Sequence, residues 1–157
     1  MTPRTLTSVS LTDPDATLAL GAALADCLEA GDTVFLIGDL GAGKTTLARG
    51  LIASACGIDD VPSPTYTLVQ SYETKDGTPL LHADLYRIDD EADLDELGLE
   101  DAFADCIVLV EWPDRLGRRA PERRLDIVMT AGDAPREARI IAHGDWEDRL
   151  ERLDADI

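Results

Sequence analysis

The eight residues Gly38-Asp39-Leu40-Gly41-Ala42-Gly43-Lys44-Thr45 spell G-x-x-x-x-G-K-[ST] in full, and each letter of that spelling has a mechanical reason. Glycines let backbone N–H groups turn inward around a phosphate, and a helix starting at the lysine aims its positive end at the same anion. Lys44 would reach the β- and γ-phosphates, and the Thr45 hydroxyl would ligate magnesium. Lysine is scarce here, only Lys44 and Lys75 beside twelve arginines, so the chance expectation for such a match is on the order of 10⁻³. The motif implies a nucleoside-triphosphate site.

Phosphoryl chemistry then needs an acid near the metal and a group that orients water. Parallel strands open at their C-terminal ends beside a phosphate loop, so an apolar strand ending in a carboxylate supplies candidates. Ile107-Val108-Leu109-Val110 leads into Glu111, and Leu80-Leu81-His82-Ala83 leads into Asp84. The more continuous run favours Glu111 as the magnesium-side acid, with Asp84 as a second acid polarising water or the metal's shell. Ser63-Pro64-Thr65-Tyr66-Thr67 carries three hydroxyls where such enzymes place a loop sensing phosphate and metal, though a solvated turn spells the same way. Trp112 either covers the site or packs in the core. His82 alternates with apolar neighbours and reads as a hydrogen-bonded core or edge histidine rather than a catalyst.

The elements that must hold these residues follow from periodicity. Residues 4–10 read as a first strand, and Asp13-Pro14 as a cap and first turn of a helix reaching about Glu29, with Leu20, Leu24, Cys27 and Leu28 on one stripe. Residues 33–37 form a strand too apolar to face water on either side. A helix runs from Lys44 to about Ala55 and is closed by Gly57. Residues 67–73 and 79–85 form a hairpin about Asp76-Gly77. Residues 90–97 and 100–104 are short acidic helices, 106–111 a buried strand, and 114–122 a loop. Residues 124–130 and 136–142 make a second hairpin, and 145–153 a terminal amphipathic helix. The expected architecture is an α/β sandwich of the P-loop type, mainly parallel at its centre with antiparallel edges and flanking helices, spanning residues 1–157 as one domain with a helical tail from 143.

At 157 residues, 45% of them hydrophobic, the chain is large enough to fold without a metal or disulfide staple, and Cys27, Cys56 and Cys106 show neither zinc nor redox spacing. No run approaches the ~18 apolar residues of a membrane span, and Met1-Thr2-Pro3-Arg4-Thr5 lacks a secretory core, so a cytoplasmic protein is expected. The 14 basic and 32 acidic residues leave a net charge of −18, which disfavours autonomous binding to nucleic acid or anionic membranes. Ten acids and one base fall within 84–105, either a solvated helical face or a docking surface for a basic partner. The arginines Arg115, Arg118, Arg119, Arg123 and Arg124 form the one basic patch, read as a solvated loop.

A GTPase would need an Asn-Lys-x-Asp segment, and this chain has no asparagine. A small-molecule kinase would need a second substrate pocket and lid arginines. Four segments in order carry a closer likeness: Gly38-Asp39-Leu40-Gly41-Ala42-Gly43-Lys44-Thr45-Thr46, Ser63-Pro64-Thr65-Tyr66-Thr67-Leu68, His82-Ala83-Asp84-Leu85-Tyr86-Arg87 and Leu109-Val110-Glu111-Trp112-Pro113. Together they resemble the TsaE (YjeE) family of P-loop ATPases of bacterial tRNA threonylcarbamoyladenosine synthesis, and Arg136-Glu137-Ala138-Arg139 resembles that family's closing hairpin.

The resemblance implies ATP and magnesium as cofactors, and a TsaB–TsaD partner pair that modifies tRNA, with tRNA met only indirectly. It implies magnesium ligands at Thr45 and Glu111, a catalytic aspartate at Asp84 with Lys44 and Glu111 beside it, and a conspicuous tryptophan at Trp112. Nucleotide contacts are implied along Gly38 to Thr46, at Thr65, Trp112 and Arg136.

Overall fold

Strand pairing in this chain is dictated by which apolar runs can be covered on both faces. The computed structural model describes residues 4–39, 42–59, 61, 69–130, 136–144 and 146. Among these, seven strands form one sheet: β1 (Arg4–Ser10), β2 (Thr33–Ile37), β3 (Val69–Glu73), β4 (Pro79–Asp84), β5 (Ile107–Glu111), β6 (Arg124–Met129) and β7 (Glu137–His143). Their spatial order is β1-β7-β6-β2-β5-β4-β3. The central strands β6, β2, β5 and β4 run parallel, while β7, β1 and β3 join antiparallel. This is the architecture expected from the sequence. Helices α1 (Pro14–Ala25) and α2 (Lys44–Cys56) build one hydrophobic layer with Val34, Leu36, Leu109 and Ile127 of the sheet. Helices α3 (Glu91–Leu97) and α4 (Leu99–Asp105), with a 3₁₀ segment at Pro113–Arg119, build the other with Phe35, Val108 and Val110. Burial on both sides is why β2 and β5 read as unbroken apolar runs. Among the described residues no helix is long and apolar enough to cross a membrane.

Local chemistry sets the ends. The Asp13 carboxylate accepts the Ala16 N–H at 2.8 Å, and Pro14 begins α1. That helix stops at Ala25, earlier than the apolar stripe suggests. The next amides bond back only three residues, Cys27 N–H to Leu24 O and Leu28 N–H to Ala25 O, and the Asp32 carboxylate takes the Glu29 N–H at 2.7 Å. This tight turn keeps Cys27 in the core without continuing the helix. The stretch read as a loop over 114–122 is a 3₁₀ segment to Arg119, started by Pro113 and interrupted at Gly117 (φ 55°, ψ −128°), with Leu116 buried. It is too short to display a periodicity. Most of the expected terminal helix lies outside the described residues; Trp146 is buried, and its indole N–H donates to His143 O at 3.1 Å.

Helices α1 and α2 touch backbone to backbone. A methyl group at Gly21 would run into the Leu47 carbonyl, and one at Gly50 into the Leu18 carbonyl. Alanine ordinarily improves a helix interior over glycine by roughly 1 kcal/mol. Here Gly21→Ala or Gly50→Ala is expected to destabilise instead, by about 1–3 kcal/mol of overpacking. The thermal midpoint should fall by about 2–4 °C per kcal/mol for a chain of this size. A raised midpoint in either variant would contradict the close crossing.

Candidate functional site

β2 delivers the chain into Gly38 and Asp39, and α2 begins five residues later at Lys44; Leu40 and Gly41, between them, lie outside the described residues. A side chain at Gly38 would stand 2.7 Å from Met129 O, so the loop can pass β6 only as glycine. Gly43, at φ 97°, turns the chain into α2 through a left-handed conformation. The first amides of α2 then point outward without intrahelical acceptors, a ready anion site. Lys44 is 5% exposed; its ammonium donates to Gly38 O at 2.5 Å and lies 3.5 Å from the centre of the Trp112 ring. Burial pushes its pKa down, opposed by the carboxylates of Glu111, Asp84, Asp39 and Asp114.

The two strand-end acids meet this helix start. In the β4–β5 register Asp84 stands opposite Glu111, and Leu36 of β2 stands opposite Glu111 on the other side. The Thr45 hydroxyl donates to Glu111 at 3.2 Å to Oε1 and 3.4 Å to Oε2. Glu111 is 2% exposed, and its Oε2 lies 2.8 Å from Nε2 of His82, itself buried. Asp84 is half-buried and accepts the Tyr86 N–H at 3.1 Å. Burial pushes its carboxyl up; the Tyr86 amide opposes this, Glu111 adds to it, and His82 and Lys44 oppose it. The result is an oxygen-rich cluster of one hydroxyl and two carboxylates beneath a lysine and a helix N-terminus. Hard oxygen donors of this kind suit magnesium. Among the described residues no group of three or more His, Cys, Asp or Glu could hold an ion unaided, so a metal here would share its coordination with phosphate and water.

Trp112 follows Glu111 at φ 60° and ψ 52°, and it alone among the described non-glycine residues has positive φ. That conformation is strained for a bulky side chain. It lays the indole across Lys44, with the Tyr86 ring 4.9 Å away at 47°. Trp112 is half-buried and also packs against the core cluster of Phe35 and Val110, so it meets both the lysine and the core.

A family model, "Threonylcarbamoyl adenosine biosynthesis protein TsaE", matches residues 11–140. The chain belongs to the TsaE family. It is 38% identical over 146 residues to the tRNA threonylcarbamoyladenosine biosynthesis protein TsaE of a Nostoc species, covering 89% of this chain and 88% of that one. To the Bacillus subtilis protein of the same name it is 41% identical over 142 residues, covering 88% and 87%. The crystal structure of Bacillus subtilis YdiB superposes with a TM-score of 0.80 at 33% identity, covering 99% of this chain and 97% of that one.

Other residues that the TsaE likeness singled out are more scattered. Ala42 is buried and Thr46 half-buried, beside the Lys44 end of α2. Arg136 is exposed just before β7, two strands from β2, with its carbonyl accepting the Leu11 N–H at 2.9 Å. Thr65 and the whole Ser63-to-Leu68 segment lie outside the described residues. The arginine patch is only partly solvated. Arg115 and Arg118 are exposed, but Arg119 pairs with Asp95 at 2.6 Å and Glu100 at 3.4 Å, Arg123 with Asp32 at 2.8 Å, and Arg124 with Asp126 at 3.1 Å. Sequence reasoning placed His82 as a bonded core histidine but missed that its partner is Glu111. The available signal was the His82-x-Asp84 spacing, which puts both side chains on the strand face that ends beside the phosphate loop.

Proposed function

We propose that this chain is a magnesium-dependent ATPase, folded as one P-loop domain, that serves threonylcarbamoyladenosine modification of tRNA through a TsaB–TsaD-like complex. The observation that carries the reading is the meeting of Thr45 with Glu111, at 3.2 Å, in line with the lysine of a complete phosphate loop. Magnesium would be held by Thr45 and Glu111, and when bound it would neutralise charge on the β- and γ-phosphates. Lys44 binds and orients those phosphates. Asp84, its carboxyl raised by burial, accepts or orients a proton of the attacking water. Trp112 and Tyr86 limit solvent at the lysine. ATP turnover with and without the partner pair tests the reading: partner-stimulated release of phosphate is expected. Nucleotide-dependent association without turnover would make the chain a gated binding module instead.

A small-molecule kinase is the second reading, favoured by one feature. A cavity of about 440 Å³, lined in part by Phe35, Ile37, Trp112, Arg124 and Asp126, adjoins Lys44. A lid needs arginines available to a transferred phosphoryl group; Arg119 and Arg124 are bound to acids, which leaves Arg115 and Arg118 exposed for that role. Phosphate release without any added acceptor separates the two readings.

Charge decides how tRNA is met. With −18 overall, the isolated chain is expected to bind tRNA negligibly at physiological salt. With ATP it should bind a partner complex whose docking face is at least partly basic. Raising salt should slow that association more than it speeds dissociation. Tight, salt-sensitive binding of free tRNA in a mobility-shift or surface-plasmon measurement would overturn the protein-mediated route.

A further inference from the structure

We infer that His82 is a positioning residue for Glu111: it occupies one carboxylate oxygen and thereby turns the other toward the Thr45 hydroxyl. The inference deepens the proposed metal site and rests on the reading of Thr45 and Glu111 as the metal-side pair.

Nε2 of His82 lies 2.8 Å from Oε2, while the Thr45 hydroxyl spans both oxygens, nearer to Oε1 at 3.2 Å than to Oε2 at 3.4 Å. The imidazole is thus the closer partner of Oε2, and Thr45 leans to the oxygen it leaves open. His82 and Glu111 are 1% and 2% exposed, so water does not compete for either group. The strand register enforces the meeting. His82 stands opposite Leu109 and Asp84 opposite Glu111, so the imidazole sits one same-face step behind the acid on the neighbouring parallel strand.

The tautomer follows from the surroundings. Nδ1 of His82 is buried and has no hydrogen-bond partner among the described residues. A proton there would be a buried, unsatisfied donor, so the network assigns it to Nε2, where it is donated to Glu111. In that state the imidazole N–H gives the carboxylate its direction. The ring also carries an unpartnered nitrogen that a packing residue such as leucine would avoid. Its same-face neighbours Leu80 and Leu109 are buried aliphatic side chains of the core. A polar ring retained there at that cost points to its other nitrogen, the one on Glu111.

The test compares His82→Gln, which keeps an N–H donor close to the Nε2 position, with His82→Leu, which removes it. ADP binding to the full chain is measured by calorimetry with and without magnesium, and thermal unfolding is recorded for both variants. In His82→Leu the magnesium-linked gain in ADP affinity should fall by about tenfold or more, while metal-free ADP binding stays within about twofold of the native chain. His82→Gln should recover most of the gain. A native-sized gain in His82→Leu, an equal loss in His82→Gln, or a parallel loss of metal-free binding would each overturn the positioning role. If the native chain itself shows no magnesium-linked gain, the assignment of Thr45 and Glu111 as metal-side residues falls, and this inference with it.

Discussion

Lys44→Ala should lower ATP turnover by about 10²–10³-fold or more, the scale at which a single preorganised charge or donor acts on a transition state. The side chain is 5% exposed and held at the start of its own loop by Gly38 O. Burial lowers its pKa, opposed by the carboxylates of Glu111, Asp84, Asp39 and Asp114. Without the ammonium, those acids would repel the phosphates unopposed. Thr45→Ala should also abolish turnover by removing one of the proposed metal's oxygen ligands. The two variants differ in calorimetry: both should weaken MgATP binding, but the Thr45 effect should fade when magnesium is omitted. Native turnover in either variant would remove the phosphate-site assignment.

The second large effect separates the acids. Asp84→Ala should bind MgATP nearly as well as the native chain and lose turnover by about 10²–10⁴-fold, as expected for a group acting on the proton of the attacking water. Glu111→Ala should slow hydrolysis and also raise the magnesium requirement. Because Glu111 is buried against His82 and Thr45, its truncation leaves polar groups without a partner. Glu111→Gln, which keeps an acceptor and removes the charge, is therefore the cleaner companion. A magnesium titration of all three variants decides between the roles, and the reverse pattern would exchange Asp84 and Glu111.

Much of this site was legible because its parts are local. The phosphate loop is contiguous, and each acid ends a recognisable strand, so Lys44, Thr45, Asp84 and Glu111 could be named without knowing which strands are neighbours. The parallel centre was legible from the unbroken apolar runs of β2 and β5, which only a sheet covered on both faces allows. What depends on register was not legible. That His82 bonds Glu111 requires β5 to lie beside β4 with Leu109 opposite His82, a pairing fixed by the tertiary fold. The arginine patch was read only in part for the same reason: Arg115 and Arg118 are exposed as expected, but Arg119 finds Asp95 and Glu100 on α3 and α4, which no local pattern reveals. The early stop of α1 escaped because Cys27 and Leu28 continue the apolar stripe although Asp32 captures the Glu29 amide. Trp112 could be named as a candidate cover, but its left-handed backbone is what turns the ring onto Lys44.

The glycine crossing of α1 and α2 also limits how the arrival of a nucleotide can be felt elsewhere in the molecule. With Gly21 against the Leu47 carbonyl and Gly50 against that of Leu18, each helix is a socket for the other's backbone. A slide along the axis would carry the glycines off these carbonyls and press the side chains of the adjoining turns toward them, in an interior too densely packed to yield. The helix that begins at Lys44 is thus a fixed mount rather than a piston. If phosphate binding is to be felt beyond the loop, the parts outside this lock are the turns after β4 and β5, where the Tyr86 and Trp112 rings stand 4.9 Å apart, and Arg119, which ties the second of these segments to Asp95 of α3.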